Sequence, residues 1–168
     1  MKNDTKKLTL LALLTAIALI LSYLESLLPP LSAFFPGVKL GLANIAILFT
    51  LYRYGVKEAA AVSFVRLFLS TLLFGSVVSL FYGAAGAVLS LASMGLLRRL
   101  SVFSAVGVSV VGGVMHNMGQ IGVAVLLTET AAVGYYLPIL LLSGILSGVA
   151  VGIAAALCIR YFEKHTKK

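Results

Sequence analysis

Six runs of apolar residues, separated by short polar or proline-containing segments, divide this chain. They cover roughly residues 8–28, 39–54, 57–74, 77–97, 102–127 and 135–161. Each run has the length that an α-helix needs to cross a hydrocarbon core of about 30 Å with some tilt. The pattern therefore predicts an all-α integral membrane protein, in which residues 1–168 form a single domain of six transmembrane helices.

The segments between the runs contain residues that end helices. LPPLSAFFPG at 28–37 carries three prolines, which cannot continue a helix. The first run follows the basic stretch MKNDTKK and so resembles a secretory signal, but it continues to about Leu28 without an A-x-A cleavage site. We therefore interpret it as a retained first helix.

The composition agrees with a membrane-embedded chain. Hydrophobic residues make up 61% of the sequence and charged residues 11%, with a mean hydropathy of +1.10. Soluble domains carry about 25% charged residues. The single cysteine, Cys158, lies in the last apolar run, so the sequence offers neither a disulfide framework nor a cysteine cluster for a metal.

The 13 Lys and Arg residues are distributed unevenly along the chain. Eleven of them lie in the termini and in the segments after the second and fourth runs, which fall on one side if the chain crosses six times. The other side holds Lys39, while Arg66 lies inside the third run. This is the positive-inside pattern, and it predicts cytoplasmic N and C termini. It also accounts for the net charge of +8, so we expect no nucleic-acid partner.

Polar side chains inside the apolar runs share one predicted depth, in the outer half of the bundle. The stretch GGVMHNMGQIG at 112–122 places two of them, His116 and Gln120, four residues apart on one helix face. Intramembrane polar and charged residues normally face protein or a water-filled cavity. We predict an outward-opening solute pocket whose lining residues are Glu25, Asn44, Arg66, Tyr82, His116, Asn117 and Gln120.

Each of these residues alone also fits a structural role. Asn, Gln and His side chains join transmembrane helices through hydrogen bonds worth about 0.6–2 kcal/mol, and Arg66 could simply pair with Glu25. For the set as a whole, confinement to one half of the membrane favours a solute site, because helix-joining hydrogen bonds have no preference for one leaflet. The row of Gly144, Gly148 and Gly152 fits close helix packing instead.

The sequence lacks recognisable enzyme motifs. It contains no DDxxD, Walker A, HExxH, GxSxG or CxxC sequence. Asp4 is the only aspartate, whereas metal-dependent phosphoryl or prenyl transfer needs several carboxylate ligands. We therefore expect no catalytic residues, no metal and no cofactor. We also find no repeated half with broken helices, the pattern of a self-energised transporter.

Four stretches of the chain resemble a known family of bacterial membrane proteins. They read LTLLALLTAIALILSYLESLLPP, FPGVKLGLANIAILFTLYRYG, VRLFLSTLLFG and GGVMHNMGQ, and they lie between about residues 8 and 125. They resemble the Gx transporter family, which is also named heptaprenyl diphosphate synthase component I. More broadly, the chain resembles the substrate-binding S components of energy-coupling-factor transporters.

The resemblance implies a location and a mechanism. The protein would lie in the lipid bilayer of the bacterial cytoplasmic membrane and capture a vitamin-like solute from outside. Ala12 and Ala16, an AxxxA pair in the first run, would dock onto a transmembrane coupling subunit driven by two ATPases. The solute site would then reorient by toppling in the membrane.

Three functions are consistent with the sequence. The first is a solute-binding membrane subunit for uptake of a vitamin-like or quinone- or isoprenoid-related compound. The second is a membrane accessory subunit of prenyl diphosphate or quinone synthesis, which would hold a lipid substrate or anchor a soluble synthase. The third is a structural subunit of a larger membrane assembly.

Overall fold

The computed structural model describes residues 2–27, 40–100 and 102–166. In this part of the chain six α-helices and one 3-10 helix form, and the all-α prediction is confirmed. The 3-10 helix, Ala131–Tyr136, replaces the loop expected before the last helix. The proline-rich segment and Lys39 lie outside the described residues. The helices are α1 (Lys2–Leu27), α2 (Asn44–Arg53), α3 (Val56–Phe74), α4 (Val77–Arg99), α5 (Ala105–Thr128) and α6 (Leu137–Thr166).

Four helical segments are long and apolar enough to cross a membrane: Asp4–Leu27, Val77–Arg99, Ala105–Thr128 and Ala132–His165. Large apolar side chains also remain on the outside of the bundle; Phe64, for example, is 70% exposed. An apolar exterior of this kind suits contact with lipid better than contact with water. Together these features indicate a multi-pass membrane protein.

Helix α2 is shorter than the second apolar run suggested. It begins at Asn44, and its 10 residues span about 15 Å, half of a hydrocarbon core. The chain ahead of it turns at Gly41, where φ is +69°. The N–H groups of Gly41 and Leu42 donate to the carboxylate of Glu25, at 2.7 and 3.1 Å. This hydrogen bonding to α1 keeps the residues before Asn44 out of the helix.

The short helix α2 lies in the centre of the apolar core. Its Leu48 and Leu51 are 1% and 0% exposed, and they belong to one cluster with Ala18 of α1, Val62 of α3 and Val108 of α5. The polar N-terminal end of α2 is therefore held inside the bundle by apolar packing on several sides.

Helix α5 packs most closely against α4 and α6, and glycines permit the approach. A Cβ on Gly113 would meet the carbonyl oxygen of Gly144 in α6, and one on Gly148 would lie 2.6 Å from the Cα of Val110. A Cβ on Gly119 would lie 2.6 Å from a backbone oxygen of α4. The glycine row of α6 is therefore a packing surface for α5.

The basic residues gather at one end of the bundle, which we call the basic end. Lys7 and Glu58 form an ion pair of 2.6 Å between the N-terminal parts of α1 and α3. The guanidinium of Arg98 donates to the carbonyl oxygen of Tyr52, over 2.9 Å, and so joins the ends of α4 and α2. The positive-inside pattern predicts that the basic residues gather at one end of the bundle. The cytoplasmic location of this end stays a prediction.

Candidate functional site

The predicted pocket residues lie away from the basic end, and Glu25 is the first of them along the chain. Its carboxylate accepts hydrogen bonds from the N–H groups of Gly41 and Leu42. These bonds tie the end of α1 to the turn before α2. Glu25 thus positions α2, and Asn44 is the first residue of that helix.

Arg66 projects from the middle of α3 toward α1. One terminal nitrogen, Nη1, lies 3.4 Å from the hydroxyl oxygen of Ser22. Its Nε is buried and has no hydrogen-bond partner among the described residues. The structure therefore places the Arg66 side chain between α3 and α1, beside Ser22.

His116 and Gln120 lie together on α5, as their spacing predicted. Gln120 Nε2 is 3.2 Å from His116 Nε2, and Gln120 is only 7% exposed. The imidazole packs directly on Gly86 of α4, where an added Cβ would lie 2.7–2.9 Å from three ring atoms. Gln120 Oε1 is buried and has no hydrogen-bond partner among the described residues.

Asn117 points in a different direction from its neighbours on α5. Its Nδ2 donates to the carbonyl oxygen of Leu140 at 2.5 Å and to the hydroxyl of Ser143 at 3.2 Å, both on α6. The residue is 6% exposed. Its amide thus joins two helices, which is the structural role left open for each of these residues. Tyr82 is half-buried on α4, one turn before Gly86.

Asn44 opens onto a cleft between α2, α4, α5 and α6. Its free volume is about 20 Å³, room for about one water molecule. Beside Asn44 its lining has three polar side chains, the hydroxyls of three serines. The lining residues are Leu40, Asn44, Leu48, Ser90, Met94, Ser109, Gly112, Gly113, Ser147, Gly148 and Val151.

The cleft and the histidine–glutamine pair lie along one strip of α5. Ser109, His116 and Gln120 are separated by seven and four residues, so they follow one line along the helix. Gly112 on one side of the line contacts α4, and Gly113 on the other side contacts α6. We call Ser109, His116 and Gln120 the polar column. It leads from the cleft away from the basic end.

The described contacts divide the predicted residues into two groups. Glu25 and Arg66 belong to the first, between α1, α2 and α3, whereas Asn44, His116 and Gln120 border the cleft and the column. Asn117 joins neither group because its amide is bonded to α6. Among the described residues no group of three or more His, Cys, Asp or Glu could hold a metal ion.

The cleft serines were not predicted from the sequence. A serine within a transmembrane helix commonly bonds back to its own backbone, as Ser147 does to the carbonyl oxygen of Gly144 at 3.3 Å. Ser90 and Ser109 carry no sequence signal of their own. The available signal was the strip of small and polar residues at 109, 112, 113, 116 and 120 on α5.

The AxxxA pair lies on an open face of α1. Ala12 and Ala16 are exposed, as are Leu13 and Ile17 beside them, whereas Ala18 on the opposite face is fully buried against the bundle. The face that carries the two alanines is therefore not used by the described helices. A partner could reach it.

Comparison with known proteins gives a family. The family model of heptaprenyl diphosphate synthase component I matches residues 14–158. This match confirms the family that the sequence resembles. Neither the curated proteins nor the solved structures compared with the chain gave a match.

Proposed function

The chain belongs to the heptaprenyl diphosphate synthase component I family, and we propose that it is a solute-binding membrane subunit for uptake. The solute enters from the side opposite the basic end, which we take as the outside. The observation that carries the proposal is Gln120 Oε1, a buried acceptor without a partner in the described residues, at the far end of the polar column.

An unpartnered buried acceptor is unfavourable in a folded protein. Leaving one costs about 1–3 kcal/mol, and native structures rarely contain them without a functional or solvent-related reason. The cost is removed when a solute presents an N–H or O–H group to Gln120 Oε1. The neighbouring contact with His116 holds the amide in place for such a donor.

Uptake also needs an energy source, and we assign it to partner subunits. The family name describes one component of a larger assembly. The open face of α1 around Ala12 and Ala16 is suited to a transmembrane coupling subunit, because small residues let two helices approach closely. Two ATPases bound to that subunit would drive the reorientation of the loaded site.

The test is solute binding by the purified protein and by a variant at the unpartnered acceptor. Radiolabelled vitamins, flavins and quinone precursors are measured against the wild type, Gln120→Leu and the control Thr128→Val. Thr128 is also a polar residue of α5, but it is exposed and bonds to its own helix. We expect binding to be lost only in Gln120→Leu. Equal binding by all three proteins would contradict the proposal.

A second function has one observation in its favour, the family name itself. As an accessory of prenyl diphosphate synthesis, the protein would anchor a soluble synthase at its basic end. Affinity purification from native membranes separates the two functions. A coupling subunit with ATPases in the eluate supports uptake, whereas a prenyl synthase without them supports the accessory role.

A further inference from the structure

We propose that His116 determines which hydrogen-bonding group Gln120 presents to the solute. With a neutral imidazole Gln120 presents an acceptor, so the pair binds an O–H or N–H group of the solute. With a protonated imidazole Gln120 presents a donor, so the pair binds a carbonyl oxygen instead. This assignment rests on the proposed function, and it makes His116 a positioning residue that acts through Gln120.

The contact between the two side chains determines where the proton of His116 lies. The amide nitrogen of Gln120 can only donate, and it lies 3.2 Å from His116 Nε2. His116 Nε2 must therefore accept, and the proton of the neutral imidazole is on Nδ1. This arrangement turns Gln120 Oε1 away from the imidazole. Oε1 is the atom that is buried without a partner among the described residues.

Protonation of His116 would reverse this contact. An imidazolium carries N–H groups on both ring nitrogens, so its Nε2 can no longer accept from Gln120. Rotation of the amide by about 180° exchanges its oxygen and nitrogen at nearly the same positions. Oε1 of Gln120 then accepts from His116 Nε2–H, and the amide NH₂ takes the unpartnered place. The group left for a solute changes from an acceptor to a donor.

The packing of the imidazole favours rotation of the amide over movement of the ring. An added Cβ on Gly86 of α4 would lie 2.7–2.9 Å from Cε1, Nδ1 and Nε2 of His116, so this edge of the ring already touches the backbone of α4. Gln120 lies one turn further along the same face of α5. The ring cannot move toward α4, whereas the amide only has to turn about its last side-chain bond.

The elements packed against α5 bring no fixed charge to this depth in the part of the chain that the structure describes. Helix α5 packs mainly on α4, α6 and the 3-10 helix. The Lys, Arg and Glu residues of these elements lie in the last two turns of α4 and α6, at the basic end. Glu129 is exposed and follows α5, nine residues beyond Gln120. The other titratable residues of these elements are Tyr82, Tyr135, Tyr136, Cys158, Tyr161 and His165.

The chain offers a matched control, because it contains two histidines. His165 is exposed at the basic end, and its Nδ1 donates to the carbonyl oxygen of Tyr161 over 2.8 Å. His165→Gln removes this second imidazole. His116→Gln keeps an amide oxygen that can accept from Gln120 but does not titrate. Thermal unfolding confirms that both variants are folded.

The experiment measures solute binding to the full-length protein in nanodiscs between pH 5 and pH 8, the range in which histidine changes its charge. The labelled probes are pairs that share a ring and differ in their donors. They are menadiol with menadione, and reduced with oxidised riboflavin, handled without oxygen. Each pair is measured with the wild type, His116→Gln and His165→Gln. Comparison with His116→Gln removes any titration of the probe itself.

The expected result is a preference that changes with pH only where His116 is present. In the wild type and His165→Gln, the donor-rich reduced probe should bind about tenfold more tightly than its oxidised counterpart at pH 8, the effect of about one hydrogen bond. This preference should disappear or reverse at pH 5, and in His116→Gln it should not change with pH. A preference in the wild type that is independent of pH, or the same pH dependence in His116→Gln, would overturn the inference and leave the proposed function standing.

Nitrogen-15 NMR tests the inference without a solute. In His165→Gln labelled at histidine, the imidazole signals come from His116 alone. We expect Nδ1 protonated and Nε2 unprotonated at pH 8, and both protonated at pH 5. A proton on Nε2 at pH 8, or an imidazole that stays neutral at pH 5, would overturn the inference. If no probe binds and cells producing the protein take none up, the proposed function fails, whatever the state of His116.

Discussion

Removing the carboxylate of Glu25 should release the chain ahead of α2 from α1. In the wild type this carboxylate accepts two backbone hydrogen bonds, at 2.7 and 3.1 Å. Hydrogen bonds to charged groups contribute about 1.5–3 kcal/mol each, and Glu25 is only half-buried, which favours the lower value. We therefore expect Glu25→Ala to cost about 3 kcal/mol. Glu25→Gln should cost about half of that, because one amide oxygen remains to accept one of the two N–H groups.

Hydrogen exchange measured by residue-resolved mass spectrometry or NMR reports this change directly. The amides of Gly41 and Leu42 should lose protection in Glu25→Ala, and unfolding in a denaturing detergent should occur earlier. Glu129→Gln is the control, since Glu129 is an exposed acidic residue that ends α5. Unchanged protection of the two amides in Glu25→Ala would refute the reasoning, whatever the effect on overall stability.

Three further predictions concern packing, helix joining and docking. Gly86→Ala should destabilise the protein by about 1–3 kcal/mol, because its Cβ overlaps the ring of His116; thermal unfolding against the control Gly122→Ala measures it. Asn117→Leu should cost about 0.6–1.7 kcal/mol of stability, because it loses the hydrogen bonds to α6. The affinity for solute should stay unchanged, and a loss of binding would contradict the separation of Asn117 from the site. Ala16→Trp should leave thermal stability unaltered and abolish co-purification with a coupling subunit, since Ala16 lies on the open face of α1. Retained co-purification would exclude this face as the docking surface.

The helices follow from the sequence because their signals are local. Apolar runs, and prolines or glycines between them, determine where an α-helix can form, and five of the helices lie close to the predicted runs. The start of α2 is the exception. It depends on hydrogen bonds between Gly41 or Leu42 and Glu25, sixteen or seventeen residues earlier in the chain. No pattern within the second apolar run contains that information.

The candidate site is predictable only in part, for a related reason. The spacing of His116 and Gln120 places both on one face of α5, and the structure brings them together. Asn117 is adjacent in sequence, so it points about 100° away around the helix, and α6 lies there. Ser90 enters the cleft only because α4 packs antiparallel to α5 and brings it opposite Gly112. Pairing of helices, rather than periodicity within one, creates the cleft.

The degree to which polar groups are satisfied separates structural from functional residues in this bundle. Asn117 has a backbone partner on α6 and Glu25 has two in the turn before α2, so the loss of either side chain is expected to act mainly on the fold. Gln120 Oε1 has no partner among the described residues, whereas the amide nitrogen of the same side chain contacts His116. A buried acceptor kept in such a place is most simply explained by a donor that arrives from outside the chain. Gln120→Leu should therefore raise the stability of the solute-free protein or leave it unchanged while it abolishes binding, and a clear loss of stability would identify Gln120 as a structural residue instead.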